Sequence, residues 1–276
     1  ENNKIHRFTP QTAPVQNRFT LSDGDTWLFQ SDGRLLRITP DEQAMACRQI
    51  LGSSHGVRRV ISLVQDKEII WIISDKGIYK YSKENSKLTL ALSTRKHFHS
   101  FRKYANKFII GADNGQLYIY DPRKDEYSIM KFNTSATLTR GKAYDSKHLL
   151  ITAENAGFFL ADGYRGEGVH YTISNQLLSN EVNALYVEDS QKHIWIAYKN
   201  TTMITRIDSL GTYRKHYQLK MQKYDDSPRQ ISQDHDGRLW VFSKNEALNY
   251  YDEKSDEFLF FSIRRPSPNS NPPNKK

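Results

Sequence analysis

The chain has 276 residues, with 40 Lys and Arg against 31 Asp and Glu, a formal charge of +9, and one cysteine, Cys47. A single thiol excludes an internal disulfide and leaves no Cys-based metal cage, and no run approaches the ~18 consecutive apolar residues of a membrane-spanning helix. The positive excess favours acidic partners electrostatically, which nucleic acid, sulfated or uronic-acid glycans and anionic membranes all satisfy, while 16 Tyr and 13 Phe suit half-buried sheets better than a large helical core.

Residues 1–17 are polar, with Pro10 and Pro14, and read as an N-terminal segment in which Ile5 to Thr9 is a candidate edge strand completing a blade made by the other terminus. The chain starts at Glu1 without Met or a charged-then-apolar leader, as expected of a mature secreted domain or an excised piece. A first unit, 18–50, carries TWLFQ with Trp27 and then GRLLRIT. The second, 57–93, opens on RRVISLVQ and continues through IIWIIS with Trp71 and GIYKYS. The third, 94–132, opens on the unusually basic KHFHSFRKY, followed by KFIIGA and GQLYIYD. The fourth, 133–173, is the most divergent, with Leu149 in HLLITA, then GFFLAD and a Gly-rich turn.

The fifth unit is the clearest. From Val182 to Tyr217 it reads VNALYVEDSQKHIWIAYKNTTMITRIDSLGTYRKHY, four β-branched or aromatic runs separated by Asp, Asn, Ser and Gly, the pattern of an antiparallel four-stranded meander. The sixth, 224–263, repeats it with QDHDGRLWVFS and ALNYYD, and 264–276 has the Pro, Asn and Ser composition of a linker or disordered tail. The second-strand positions Trp27, Trp71, Phe108, Leu149, Trp195 and Trp240 recur every 37 to 46 residues. A period of that size marks a repeat architecture, and no helical period persists long enough for a helix. The expected fold is all-β: a β-propeller of about six four-stranded antiparallel blades over 18–263, each blade buried on both faces by its neighbours. The four Trp, at equivalent positions, are expected to be buried between blades.

Motifs for a Ser nucleophile, a zinc protease, a P-loop or a dinucleotide fold are absent, so no catalytic residue, cofactor or metal is expected. His97 and His99, two apart on a strand, would share a face, but no Cys or carboxylate accompanies them in the run. The Asp-rich turns at Asp23 and Asp234 read as tight turns and lack the Glu-terminated calcium loop. Propeller geometry gives a better site argument than motifs do. Loops entering first strands share a rim with loops joining second to third strands, and Arg59, Arg95, Lys96, His97, Arg140 and Arg229 fall there. They are the candidate ligand-binding residues, for an anionic ligand.

Within 178–217, Ser179, Val182, Glu188, Asp189, Ile194, Trp195, Ile196 and Asp208 match, and 233–252, 70–81 and 109–121 match more loosely, a pattern that resembles the two-component regulator propeller repeat. Lys199 to Thr202 departs from that family's Gly-rich turn. The resemblance implies a periplasmic sensor portion of a bacterial hybrid two-component system, of the kind found in Bacteroides-like bacteria, detecting breakdown products of complex glycans; the missing motifs add that it is non-catalytic, and the basic rim that the ligand is anionic, such as an acidic oligosaccharide. Its implied partners are that ligand, the other domains of the same sensor and a second copy as a homodimer, with no nucleic acid and the membrane reached only through a tether outside this chain. Full sensors of the family carry two seven-bladed propellers, so six units are either a six-bladed ring or part of a longer array. Two alternatives stand beside this: a protein-interaction scaffold, although WD dipeptides are absent, and a carbohydrate-active propeller enzyme, which needs converging acid and base groups.

Overall fold

In the computed structural model, residues 13–40, 45–104, 106–162, 168–175, 177–188, 190–208, 211, 213–220, 226–245 and 247–261 are described. They form six four-stranded sheets, each a simple meander with its strands in sequence order, over 15–51, 60–93, 98–131, 138–171, 182–218 and 228–261. The first strand begins at Val15, three residues before the expected start of the first unit, and Pro14 O and Ala13 O accept hydrogen bonds from Ser31 N and Gln30 Nε2 of the same sheet. The expected strand at Ile5 to Thr9 and the segment 264–276 lie outside the described residues.

The chain divides into two compact units, 1–142 and 143–276. Sheets one to three belong to the first, sheets five and six to the second, and the first strand of sheet four, Leu138–Ala143, ends at the boundary. Second strands are the most buried elements: Ile194–Tyr198 is buried throughout, and Ile69–Ser74 and His148–Ala153 are buried at five of six positions. A strand covered on both faces carries apolar residues continuously instead of alternating, which is why IWIAY and IIWIIS read as they do. Fourth strands are exposed edges, as in Glu126–Lys131, where only Met130 is buried.

Apolar side chains from successive sheets pack into shared cores. Trp27 and Phe29 meet Ile70, Ile72 and Tyr81; Trp71 and Ile73 meet Phe108, Ile110 and Tyr120; Leu150 and Phe158 meet Ile194 and Ile196; Trp195 and Ala197 meet Leu239, Val241 and Phe258. One pairing recurs. The indole of sheet one, two or five contacts a tyrosine from the third strand of the next sheet, with ring centroids 5.7 Å apart for Trp27–Tyr81, 5.7 Å for Trp71–Tyr120 and 5.0 Å for Trp195–Tyr251. Five residues after each tyrosine stands Ser86, Asp125 or Asp256, at φ of 56°, 54° and 51°. The Tyr120 hydroxyl donates to Asp125, and that of Tyr251 to Asp256 at 2.6 Å, so the hairpin between third and fourth strands is pinned to the ring it presents.

Strand register and burial correct three sequence expectations, the first of them Leu149: it pairs with Ala161, the place Tyr81 holds opposite Ile70, so the residue of sheet four equivalent to Trp71 is Leu150. Tyr81 pairs with Ile70 and Tyr120 with Phe108, so the residue of sheet three equivalent to Trp71 is Ile109, one place after Phe108. Trp240 is half-buried, unlike Trp27, Trp71 and Trp195, which are at most 4 % exposed. It packs on Tyr250 and Phe261 of its own sheet, and its Nε1 donates to Asp234 at 2.6 Å. The physical reason is local: the indole N–H is turned to Asp234 in the first turn of its own sheet and the ring lies under Arg238 at 6.0 Å, while Phe242 and Phe261 of the same sheet are exposed.

Candidate ligand-binding site

In the first unit the loops entering sheets two and three are organised by two aspartates that follow second strands. Asp75, 6 % exposed, accepts at Oδ1 from the backbone N–H groups of Arg58 (3.1 Å) and Arg59 (3.2 Å), and its Oδ2 lies 4.0 Å from His97 Nδ1. Asp113 accepts from His97 N at 3.1 Å and pairs with His99 Nε2 at 2.6 Å. Burial alone would raise the Asp113 pKa, but the His97 N–H and the His99 ring outweigh it and hold the carboxyl below its ordinary value. Both aspartates sit in the same repeat place, Asp75-Lys76-Gly77 and Asp113-Asn114-Gly115. That Asp-x-Gly recurrence is the signal sequence reasoning passed over.

Four of the predicted site residues meet here. Arg59 Nη2 donates to Phe98 O at 3.1 Å and lies 3.4 Å from His99 Nδ1; His97 is drawn between the two aspartates; Arg95 is exposed and Lys96 partly so on the same loop. Arg140 is exposed in the first strand of sheet four. Arg229 belongs to the second unit, exposed at the start of Pro228–Gln233. The rim of the first unit is therefore of mixed charge, its cations interleaved with Asp75 and Asp113.

A β-bulge positions several of these groups. In sheets one, two, three, five and six the first strand carries one extra residue near its start: Gln16, Ile61, His99, Asn183 and Arg229. A bulge re-aims side chains and interrupts alternation, so His97 and His99 do not share a strand face. At or within two residues of the bulge a side chain latches onto the following sheet: Asn17 to Val60 O at 3.2 Å, Arg59 to Phe98 O, and Asn183 to Pro228 O at 2.8 Å. Among the described residues no three His, Cys, Asp or Glu side chains are arranged to hold a metal ion.

No protein-family model matches the sequence, and no curated protein matches it. Among solved structures, the virginiamycin B lyase of Staphylococcus aureus is 12 % identical, over 92 % of this chain and 85 % of that one, with a TM-score of 0.60. These sheets are propeller blades. Two further propeller-like neighbours are extracellular domains of hybrid two-component systems from B. thetaiotaomicron. One is 13 % identical over 90 % of this chain and 35 % of that chain, TM-score 0.58; the other is 15 % identical over 94 % and 34 %, TM-score 0.57. At such identities the likeness shows the fold alone. This chain spans about a third of the length of those two domains, and no described helix is long and apolar enough to cross a membrane.

Proposed function

We propose that this chain is a non-catalytic, ligand-recognising propeller portion of an extracytoplasmic sensor in a bacterial hybrid two-component system, taking a small anionic ligand such as an acidic oligosaccharide. Two sensor domains sharing the fold over at least 90 % of this chain support the sensor reading, together with the repeat resemblance at 178–217. The observation that carries the site is the loop cluster in which Asp75 and Asp113 fix the backbone around Arg59, Arg95, Lys96 and His97; Arg140 of the first unit and Arg229 of the second are separate candidates. A loop whose backbone is already fixed presents its basic side chains to an anion without first having to be ordered itself. Calorimetric titration of the chain with sulfated, uronic-acid and neutral oligosaccharides tests the reading. Binding of the anionic ones, weakened by salt and by Arg95→Ala or Arg140→Ala, is expected. Salt-independent binding of a neutral sugar that survives both substitutions would sink it.

One observation favours an enzyme instead. The His99–Asp113 pair, 2.6 Å apart with a His99 side chain 30 % exposed, has the form of an imidazole oriented by a carboxylate. Turnover of a uronic-acid polysaccharide that is abolished by His99→Ala would replace the sensor reading with that one.

A further inference from the structure

At the opposite end of the sheets from the rim, where first strands turn into second and third into fourth, a cavity of about 270 Å³ opens between sheets five and six. Trp195 and Tyr251 form its inner wall, and Glu188, Asp236, Asp252 and Glu253 stand around it. It is just under the ~300 Å³ at which pockets for drug-sized ligands begin, so it suits a small group.

The same interface exists in the first unit between sheets one and two. Trp195 and its cross-strand partner Arg206 correspond to Trp27 and Arg37. Tyr251 corresponds to Tyr81, each against the indole of the preceding sheet. The first turn supplies Asp23 and Asp25 in one interface; in the other it supplies Glu188, which also takes the His193 ring at 3.1 Å and the Trp195 indole N–H at 3.4 Å, with His193 at the place of Asp25. The two part company two residues after the tyrosine. There sheet two carries Lys83, whose side chain is only 11 % exposed and whose ammonium sits between Asp23 and Asp25, 3.0 Å from Asp25 Oδ2. Sheet six carries Glu253 instead, and its interface is open.

We propose that the cavity between sheets five and six binds a primary ammonium group on an aliphatic stem, with Lys83 serving as the chain's own copy of that ligand in the sister interface. The charges favour it. Arg206 lies over the Trp195 and Tyr251 rings, at 5.4 and 5.9 Å, but its charge is engaged by the Tyr251 hydroxyl (2.9 Å) and Asp256 (3.6 Å). Of the two cations at the cavity, Arg238 lies over the rings of Tyr250 and Trp240, at 5.3 and 6.0 Å, and Lys254 neighbours Asp252. Asp236 and Glu253 have no Lys or Arg ion-pair partner among the described residues. In the interface between sheets two and three the equivalent residue is Pro122, and the smaller cavity of about 130 Å³ there is lined by Lys103 and Arg123, so that interface does not share the ammonium chemistry.

Titrating the full chain with n-butylammonium chloride, followed by amide chemical shifts, tests this, with n-butanol as the uncharged control. Saturable shifts around Glu188, Trp195 and Tyr251, seen with the amine and not the alcohol, are expected. Glu253→Lys supplies an internal ammonium as Lys83 does, and should abolish binding while raising the thermal midpoint, a gain that a misfolded variant would not show. Lys83→Ala should open the sister site and raise the stoichiometry from one to two. No saturable shift at concentrations well above millimolar, or undiminished binding by a folded Glu253→Lys variant, would overturn the proposal.

Discussion

At the scale of single residues, Trp195 and Trp240 occupy the same repeat position with different surroundings. Trp195 is 1 % exposed against Tyr251 and Phe258, so Trp195→Ala should cost roughly 3 to 5 kcal/mol by leaving a cavity. The half-buried Trp240 should cost roughly 1 to 2 kcal/mol, and urea unfolding of the two variants measures the difference. The sequence shows the repeat of Trp but not which copy is covered, because burial is conferred by a neighbouring sheet. Asp256 gives a pH prediction. Burial alone would raise its pKa, but hydrogen bonds from Lys215, Tyr251 and Tyr217 and the charge of Arg206 hold it well below the usual carboxylate range. A lowered folded-state pKa contributes stability that is present above the unfolded value of about 4 and is lost as pH falls through the folded one. With its side chain 40 % exposed, solvent screening keeps the contribution modest. Asp256→Asn should therefore flatten the decline in stability below about pH 4, read from thermal midpoints across that range.

Among the elements, the turn between second and third strands is the least forgiving. Gly157 has φ 73°, and a Cβ there would stand 2.0 Å from Tyr171 O. Gly157→Ala should destabilise by well over ~1 kcal/mol, since strain and collision both apply. Gly141→Ala, whose Cβ would meet nothing nearer than Ile109 Cγ2 at 4.0 Å, should be nearly neutral in the same denaturant experiment. Second and third strands were legible in the sequence from their apolar runs. The tyrosine device was equally legible, in YSKENS, YDPRKD and YDEKSD, yet went unread because each tyrosine faces an indole one repeat earlier instead of a residue in its own unit. The bulges were not legible, and they decide where His99 and Arg229 point. Aligning Phe108 with Trp71 failed for a related reason: one residue of register exchanges the two faces of a strand.

For the whole molecule, the repeat count and the all-β class could be read from a 37 to 46 residue period, since each unit exposes an apolar face that only another unit can cover. The ligand could not, because the predicted cations take their meaning from Asp75 and Asp113 on other loops. Trp71 and Trp195 lie in separate cores, and repeat folds draw their stability from neighbouring interfaces. The double variant Trp71→Ala/Trp195→Ala should equal the sum of the single variants within about 0.5 kcal/mol, by denaturant midpoints and slopes; a larger shortfall would mean that the cores are coupled. The half-open Trp240 also gives the chain a built-in optical gauge. The three buried indoles should emit towards the blue, whereas Trp240, half-buried and bonded to Asp234, should emit at the red edge and be the first reached by a dissolved quencher such as acrylamide. Any macromolecule that settles on the sixth sheet would protect this emission alone, and Trp240→Phe would remove the signal while leaving the other three in place.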